Sequence, residues 1–129
     1  MSPDQLVVAA RDAARNAYAP YSNFRVGAAV VTADGDVVTG ANVENAAYPS
    51  GACAEATAIY TAVAAGARRI ASVAVACIDA QEVDDAYPCG RCRQVMSEFD
   101  VETILVTAGD GSEVRRHTLD DLIPHRFTQ

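Results

Sequence analysis

Two short segments hold residue types that can do chemistry together, Cys53-Ala54-Glu55 and Pro88-Cys89-Gly90-Arg91-Cys92. Each opens a predicted helix. Cys89 and Cys92 stand three apart, so one helical turn puts both sulfurs on one side. Residues two apart inside a helix point about 200° away from each other, so Cys53 and Glu55 can address one atom only if Cys53 sits at the helix start, half outside it. A helix N-terminus carries partial positive charge, which lowers a thiol pKa and favours the thiolate that binds metal. A lone Cys-x-x-Cys is either a redox pair or half of a structural zinc site. A structural site calls for four protein ligands, and only Cys53, Cys89 and Cys92 are suitably placed. Three ligands leave a fourth position for water, the arrangement of a catalytic zinc. Zinc can bring the pKa of that water to about 7. A carboxylate two residues from a ligand is then placed to carry protons. Three thiolates on one divalent ion also leave an excess negative charge, which the helix N-termini or a nearby arginine, Arg91 or Arg93, must offset.

The elements that position these residues follow from spacing. Leu6, Ala9, Ala10, Ala13, Ala14 and Ala17 recur at helical intervals, which predicts a first helix over Leu6 to Tyr18, stopping before Pro20. Residues 24 to 33 and 37 to 43 read as two antiparallel strands joined at Ala33-Asp34-Gly35-Asp36. Residues 53 to 66 form an alanine-rich helix ended by Gly66. The uncharged run Ile70 to Ile78, which includes Cys77, suits a strand covered on both faces. A helix over 90 to 99, strands over 102 to 107 and 113 to 117, and a helical turn over 118 to 123 complete the chain. The order α-β-β-α-β-α-β-β-α predicts one layered α/β domain, residues 1 to 129, whose mixed sheet has a hairpin at one side and parallel crossovers in the middle.

Composition narrows the function. The chain has 129 residues, half of them hydrophobic, and 17 Asp and Glu against 10 basic residues give a net charge of -7. Every basic residue is arginine, so neither a Schiff-base lysine nor a phosphate-loop lysine can operate. The acidic balance argues against nucleic acid and anionic membranes as partners. The longest uncharged runs are too short to span a bilayer, which needs about 20 apolar residues. No export signal is visible at Met1-Ser2-Pro3-Asp4, so a cytoplasmic location is expected, where cysteines are thiols or metal ligands rather than disulfides. Cys77 reads as a core residue, and His117 and His125 as surface or interface residues.

The segments Tyr21-Ser22-Asn23-Phe24-Arg25-Val26-Gly27-Ala28-Ala29, Gly40-Ala41-Asn42-Val43-Glu44-Asn45-Ala46, Cys53-Ala54-Glu55 and Pro88-Cys89-Gly90-Arg91-Cys92-Arg93-Gln94-Val95 resemble, in order and spacing, the small homotetrameric zinc-dependent cytidine deaminases. The resemblance runs from about Tyr18 to Phe127. It implies a three-layer α/β/α fold with a five-stranded mixed sheet. It implies that Cys53, Cys89 and Cys92 hold one zinc per subunit and that Glu55 shuttles protons while zinc-activated water attacks C4 of the pyrimidine. Cytidine and deoxycytidine would become uridine and deoxyuridine with release of ammonia, a pyrimidine-salvage reaction. By the same resemblance the backbone around Ala54 and Cys89 bonds the base, Phe24 packs on its face, and Asn42 and Glu44 grip the ribose 3′-hydroxyl. Ala46, Tyr48 and Phe127 would complete pockets in neighbouring subunits of a homotetramer. Ala56 stands where many of those relatives carry an arginine, and Pro49 where they usually carry glycine.

Local grounds give other readings of some of these residues. Phe24 alone reads as a core strand aromatic, and Asn42 to Asn45 as a turn cluster. A same-fold deaminase of another aminopyrimidine, such as blasticidin S, competes with the nucleoside reading, although the Asn42 and Glu44 pair favours a ribose. A non-catalytic zinc-stabilised binding module would keep the cysteines but has no need of Glu55.

Overall fold

The computed structural model describes residues 1–129, and its first helix already departs from the apolar spacing. Helix α1 runs Pro3–Ala14, not Leu6 to Tyr18, because Ser2 caps it: the Ser2 hydroxyl accepts from the Gln5 amide while the Gln5 side chain accepts from the Ser2 amide. Pro3 fills the first turn, where no backbone donor is needed. The chain then leaves the helix, and Tyr18 pairs instead with the 42–44 segment, its amide donating to the Asn42 carbonyl and its carbonyl accepting from the Glu44 amide.

Strands β1 (Val26–Thr32), β2 (Val37–Ala41), β3 (Ile70–Cys77), β4 (Thr103–Ala108) and β5 (Val114–His117) form one sheet in the order β2-β1-β3-β4-β5. The hairpin at one side is as expected, and the expected parallel crossovers in the middle come down to one parallel pair. Only β3 and β4 pair in parallel; β1 is antiparallel to both β2 and β3, and β5 is antiparallel to β4. Helix α2 (Ala54–Ala64) still carries the chain between two strands of like direction, β2 and β3, but β1 lies between them and hydrogen-bonds to both.

Alternation along the central strands sorts their side chains onto two faces. Ala29, Ala74, Ala76 and Leu105 meet Leu6, Val7 and Ala10 of α1. Ala28, Val30, Val73, Val75, Ile104 and Val106 meet the other helices, α2, α3 (Gly90–Glu98) and the short α4 (Leu119–Leu122). The result is the expected three-layer α/β/α arrangement around a five-stranded mixed sheet. No helix is long and apolar enough to cross a membrane.

Small residues decide how closely α2 approaches the sheet. A Cβ at Gly40 of β2 would lie 2.6 Å from the Ala58 amide nitrogen and 2.8 Å from the Ala54 carbonyl oxygen. Backbone therefore touches backbone there, which sets the height of the α2 N-terminus above the sheet and with it the place of Cys53 and Glu55. A second clamp works at the start of β1. The Asp79 carboxylate, just past β3, accepts from the Arg25 amide at 2.8 Å and from its guanidinium at 2.9 and 2.8 Å. These bonds hold the Asp79 pKa down at about 2 and pin the Phe24-Arg25 segment to the sheet. Gly40→Ala is expected to cost about 1–3 kcal/mol, the usual penalty of overpacking, measured as a lower denaturant midpoint at unchanged slope.

Candidate active site

Cys53 is the N-cap of α2 and Cys89 the N-cap of α3, both with extended backbone, and Cys92 follows one turn into α3. Neither N-cap cysteine uses its side chain to cap its helix, so both sulfurs remain free to turn toward a common point. The three Sγ atoms lie within 4.8 Å of one another, and none of the cysteines is in a disulfide. Zinc–sulfur bonds of about 2.3 Å in a tetrahedron require sulfurs about 3.7 Å apart. The cluster is within a small adjustment of that spacing, so the donor set fits a zinc ion. Cys92 is buried, Cys53 half-buried and Cys89 exposed.

The thiols do not share their protons equally. Donation from Cys92, helped by Cys89 and by the positive charge of Arg91, brings the Cys53 thiol down to about 6 in spite of its burial. The same pairing, with burial and the charge of Glu55, pushes Cys92 up. Glu55, in the first turn of α2, is only 4% exposed. Burial, reinforced by the charge on Cys53, raises its pKa to about 7, against the lowering effect of hydrogen bonds. A carboxyl poised near neutrality beside a metal-ligating cluster is suited to take and return a proton.

Beside the cluster opens a cleft of about 390 Å³, lined among others by Asn42, Glu44, Tyr48, Cys53 and Arg91. Its size falls in the range of small-ligand sites, roughly 300–1,000 Å³. Asn42 and Glu44 both face it, as the resemblance implies, although each also has an internal task. The Asn42 side chain accepts from the Val26 amide and donates to the Phe24 carbonyl, both at 2.9 Å. Glu44 accepts from the Tyr21 and Ser22 amides and from the Ser22 hydroxyl, and these bonds, the hydroxyl's first, keep its pKa below the usual carboxylate value. Residues 42 and 44 lie past the end of β2, so the expected strand to 43 is shortened; the bridges of Tyr18 and Ala52 to Val43 keep the segment extended instead.

Other sequence-predicted residues fall elsewhere. Phe24 is half-buried against the main core cluster rather than among the cleft-lining residues, in keeping with its local reading. Ala54 is fully buried and Glu55 is buried too, and of the Cys53-Ala54-Glu55 segment only Cys53 lines the cleft. Tyr48 lines the cleft of its own chain and is 80% exposed; Ala46 is exposed outside the lining. Phe127 is 69% exposed, with its carbonyl accepting from the Gln94 side chain at 3.4 Å, away from the cleft. Cys77 is a core residue as expected, its thiol donating to the Ala86 carbonyl and its pKa pushed up to about 12 by burial first. His117 is not a free surface residue: its Nε2 lies 2.7 Å from the Tyr87 hydroxyl. Sequence reasoning left open where Arg91 and Arg93 point. Arg91 faces the cleft, whereas the Arg93 guanidinium is engaged by backbone carbonyls. It also missed Ser22 and Asp79, whose anchoring bonds join positions 22 and 54 residues apart and carry no local signal.

Residues 1–108 match the family model of the cytidine and deoxycytidylate deaminase zinc-binding region. The chain is 40% identical over 129 residues to a cytidine deaminase of Halalkalibacterium halodurans, covering 99% of this chain and 96% of that one. The crystal structure of cytidine deaminase from Burkholderia pseudomallei superposes with a TM-score of 0.91 at 44% identity, over 98% of this chain and 100% of that one. A blasticidin-S deaminase of Bacillus cereus is 32% identical over 113 residues, 84% of this chain and 80% of that protein.

Elemental analysis of the purified chain is expected to find one zinc per chain. Cys89→Ala, which removes an exposed sulfur and leaves the core intact, should lose most of it; undiminished zinc in that variant would contradict the ligand assignment.

Proposed function

The chain belongs to the family of the cytidine and deoxycytidylate deaminase zinc-binding region, and on that premise we propose that it hydrolyses free cytidine and deoxycytidine to uridine and deoxyuridine, releasing ammonia, as a step of pyrimidine salvage. The observation that carries this reading is the buried carboxyl of Glu55 beside three clustered thiols at the side of a nucleoside-sized cleft. A zinc-stabilised binding module has no use for a buried acid, which costs stability unless it has work to do. The reading takes residues 1–129 as one catalytic domain and places it in the cytoplasm, where reducing conditions keep the thiols available.

Cys53, Cys89 and Cys92 would hold the ion, which supplies an activated water and an electrophilic centre. Glu55 would take one proton from the attacking water and deliver it to N3 of the pyrimidine, where uridine keeps it. It would then move the second proton, from the hydroxyl newly bonded to C4, onto the amino group as its bond to C4 breaks, so that cytidine and water become uridine and ammonia. A pKa of about 7 suits both directions of transfer. The backbone at Ala54 and Cys89 orients the base, and Phe24 packs against it from the rim of the core. Asn42 can still donate one N–H and accept one further bond, and Glu44 accepts only, so together they fit one ribose hydroxyl.

Ala46, Tyr48 and Phe127 stand in solvent in a single chain. Two aromatic side chains at 80% and 69% exposure are large apolar surfaces to leave wet, which supports a homotetramer in which neighbouring chains close each cleft. Neither nucleic acid nor a membrane surface has a part in this reading.

Ammonia release from cytidine, deoxycytidine, cytosine, adenosine and blasticidin S tests the substrate class. Turnover of the two cytidine nucleosides is expected, with a loss of about 10³-fold or more in Glu55→Gln and zinc retained. Blasticidin S as the sole substrate would move the chain to the neighbouring activity, and unchanged turnover in Glu55→Gln would sink the proton-shuttle role. Sedimentation velocity should show a four-chain species; a fully active monomer at micromolar concentration would refute the shared-cleft reading.

A further inference from the structure

The two cysteine-bearing helix ends are not supported alike. Cys53 rests on α2, whose backbone is set against β2 at Gly40. Cys89 follows a largely irregular stretch from residue 78 to 88 that holds a single short 3-10 turn, Val83–Asp85, and its side chain is exposed. What fixes this second approach to the cluster comes from the far end of the chain. The Nε of Arg93 donates to the Pro88 carbonyl at 2.8 Å, and its Nη1 donates to the Leu122 carbonyl at 2.7 Å. Leu122 is the last residue of α4, so its carbonyl is one that a helix leaves without an internal partner. One residue before Pro88, the Tyr87 hydroxyl meets His117 of β5 at 2.7 Å, and the two rings pack 5.2 Å apart. Both anchors, His117 and Leu122, lie beyond residue 108, where the match to the zinc-binding family model ends.

We infer that Arg93 is a positioning residue of the metal centre, a two-pronged tie that holds the Pro88-Cys89 turn against α4 and thereby sets where the Cys89 sulfur meets those of Cys53 and Cys92. The planar guanidinium presents two donors at a fixed angle, which is what bridging two carbonyls from different elements requires. A lysine ammonium keeps the charge but is a flexible point donor without that fork. Arg93 takes part in none of the chain's ion pairs, so no carboxylate competes for it. The Tyr87–His117 contact is a second, uncharged strut on the same turn. The proposal rests on the reading of the three cysteines as a zinc site and adds the residues that shape it from behind.

The test compares wild type, Arg93→Met, Arg93→Lys and Tyr87→Phe at a temperature where each is folded by circular dichroism. Zinc affinity is read by competition with a chromophoric chelator, and ligand geometry by the visible bands of the cobalt-substituted proteins. Outer partners of metal ligands typically contribute 10–100-fold in affinity. Arg93→Met and Arg93→Lys are both expected to bind zinc at least about tenfold more weakly, with altered cobalt bands. Tyr87→Phe should shift both readouts in the same direction. Wild-type affinity in Arg93→Lys would overturn the proposal, because charge alone would then suffice, and wild-type affinity in Arg93→Met would overturn it whatever Tyr87→Phe does. If Arg93→Met does not fold, Arg93→Lys and Tyr87→Phe still decide the matter. Failure of the wild type itself to bind zinc would instead remove the metal-site reading on which the proposal rests.

Discussion

Two helices must begin at the same point in space, and most of the structure serves that requirement. Three sulfurs within 4.8 Å of one another come from the N-terminal ends of α2 and α3, two from the N-caps and one from the first turn of α3, elements separated by strand β3 and a long irregular stretch. Sulfurs this close repel as thiolates unless something positive lies among them, and the two helix N-termini supply part of that charge. Bringing the helix ends together depends on small residues: Gly40 lets α2 lie directly on β2, and the alanines at 54, 58 and 62 face the sheet at little height. Larger side chains would enlarge the core but lift Cys53 away from its partners.

The same geometry determines what Glu55 can do. Cys53 lies outside the first turn of α2 and Glu55 within it, so a spacing that would send two mid-helix residues to opposite sides brings these two together. Burial makes the carboxyl reluctant to ionise, and the adjacent thiolate adds to that reluctance. Arg91 opposes this build-up of negative charge from the cleft side, while Arg93, one residue beyond Cys92, is held by carbonyls behind the loop. Two arginines two positions apart in one helix thus have different duties, because side chains at that spacing leave the helix on different sides.

The chemistry was more legible in the sequence than the topology. Cys53, Glu55, Cys89 and Cys92 announce themselves through local spacing at helix starts, and local spacing is what a helix preserves. The sheet order was harder to read. The α-β-β-α-β pattern does not say whether β3 adds beside β2 or beside β1, and only the pairing of Val26–Thr32 with both neighbours settles it. The first helix was displaced toward the N-terminus because a Ser2–Gln5 capping box outweighs the apolar stripe that continues past Ala14. Phe24 illustrates a deeper limit: its motif points to the substrate, yet in the single chain it packs on the core and does not line the cleft. Contacts such as Ser22–Glu44 and Arg25–Asp79 join distant positions through single polar bonds and have no periodicity to betray them.

An open cleft also bears on catalysis. Fixed charges act most strongly on a developing charge where water is excluded, because water screens them. In one chain Glu55 meets that condition, buried at 4% exposure, but Cys89 and Tyr48 do not. Tyr48, on the cleft wall, is 80% exposed, so the described residues leave the cleft uncovered there. A second copy is the least costly source of such a cover, since it needs no additional sequence. On the proposed assembly, association would then be part of the chemistry: neighbouring chains would dry the cleft around a site whose metal ligands and acid are already in place within each chain.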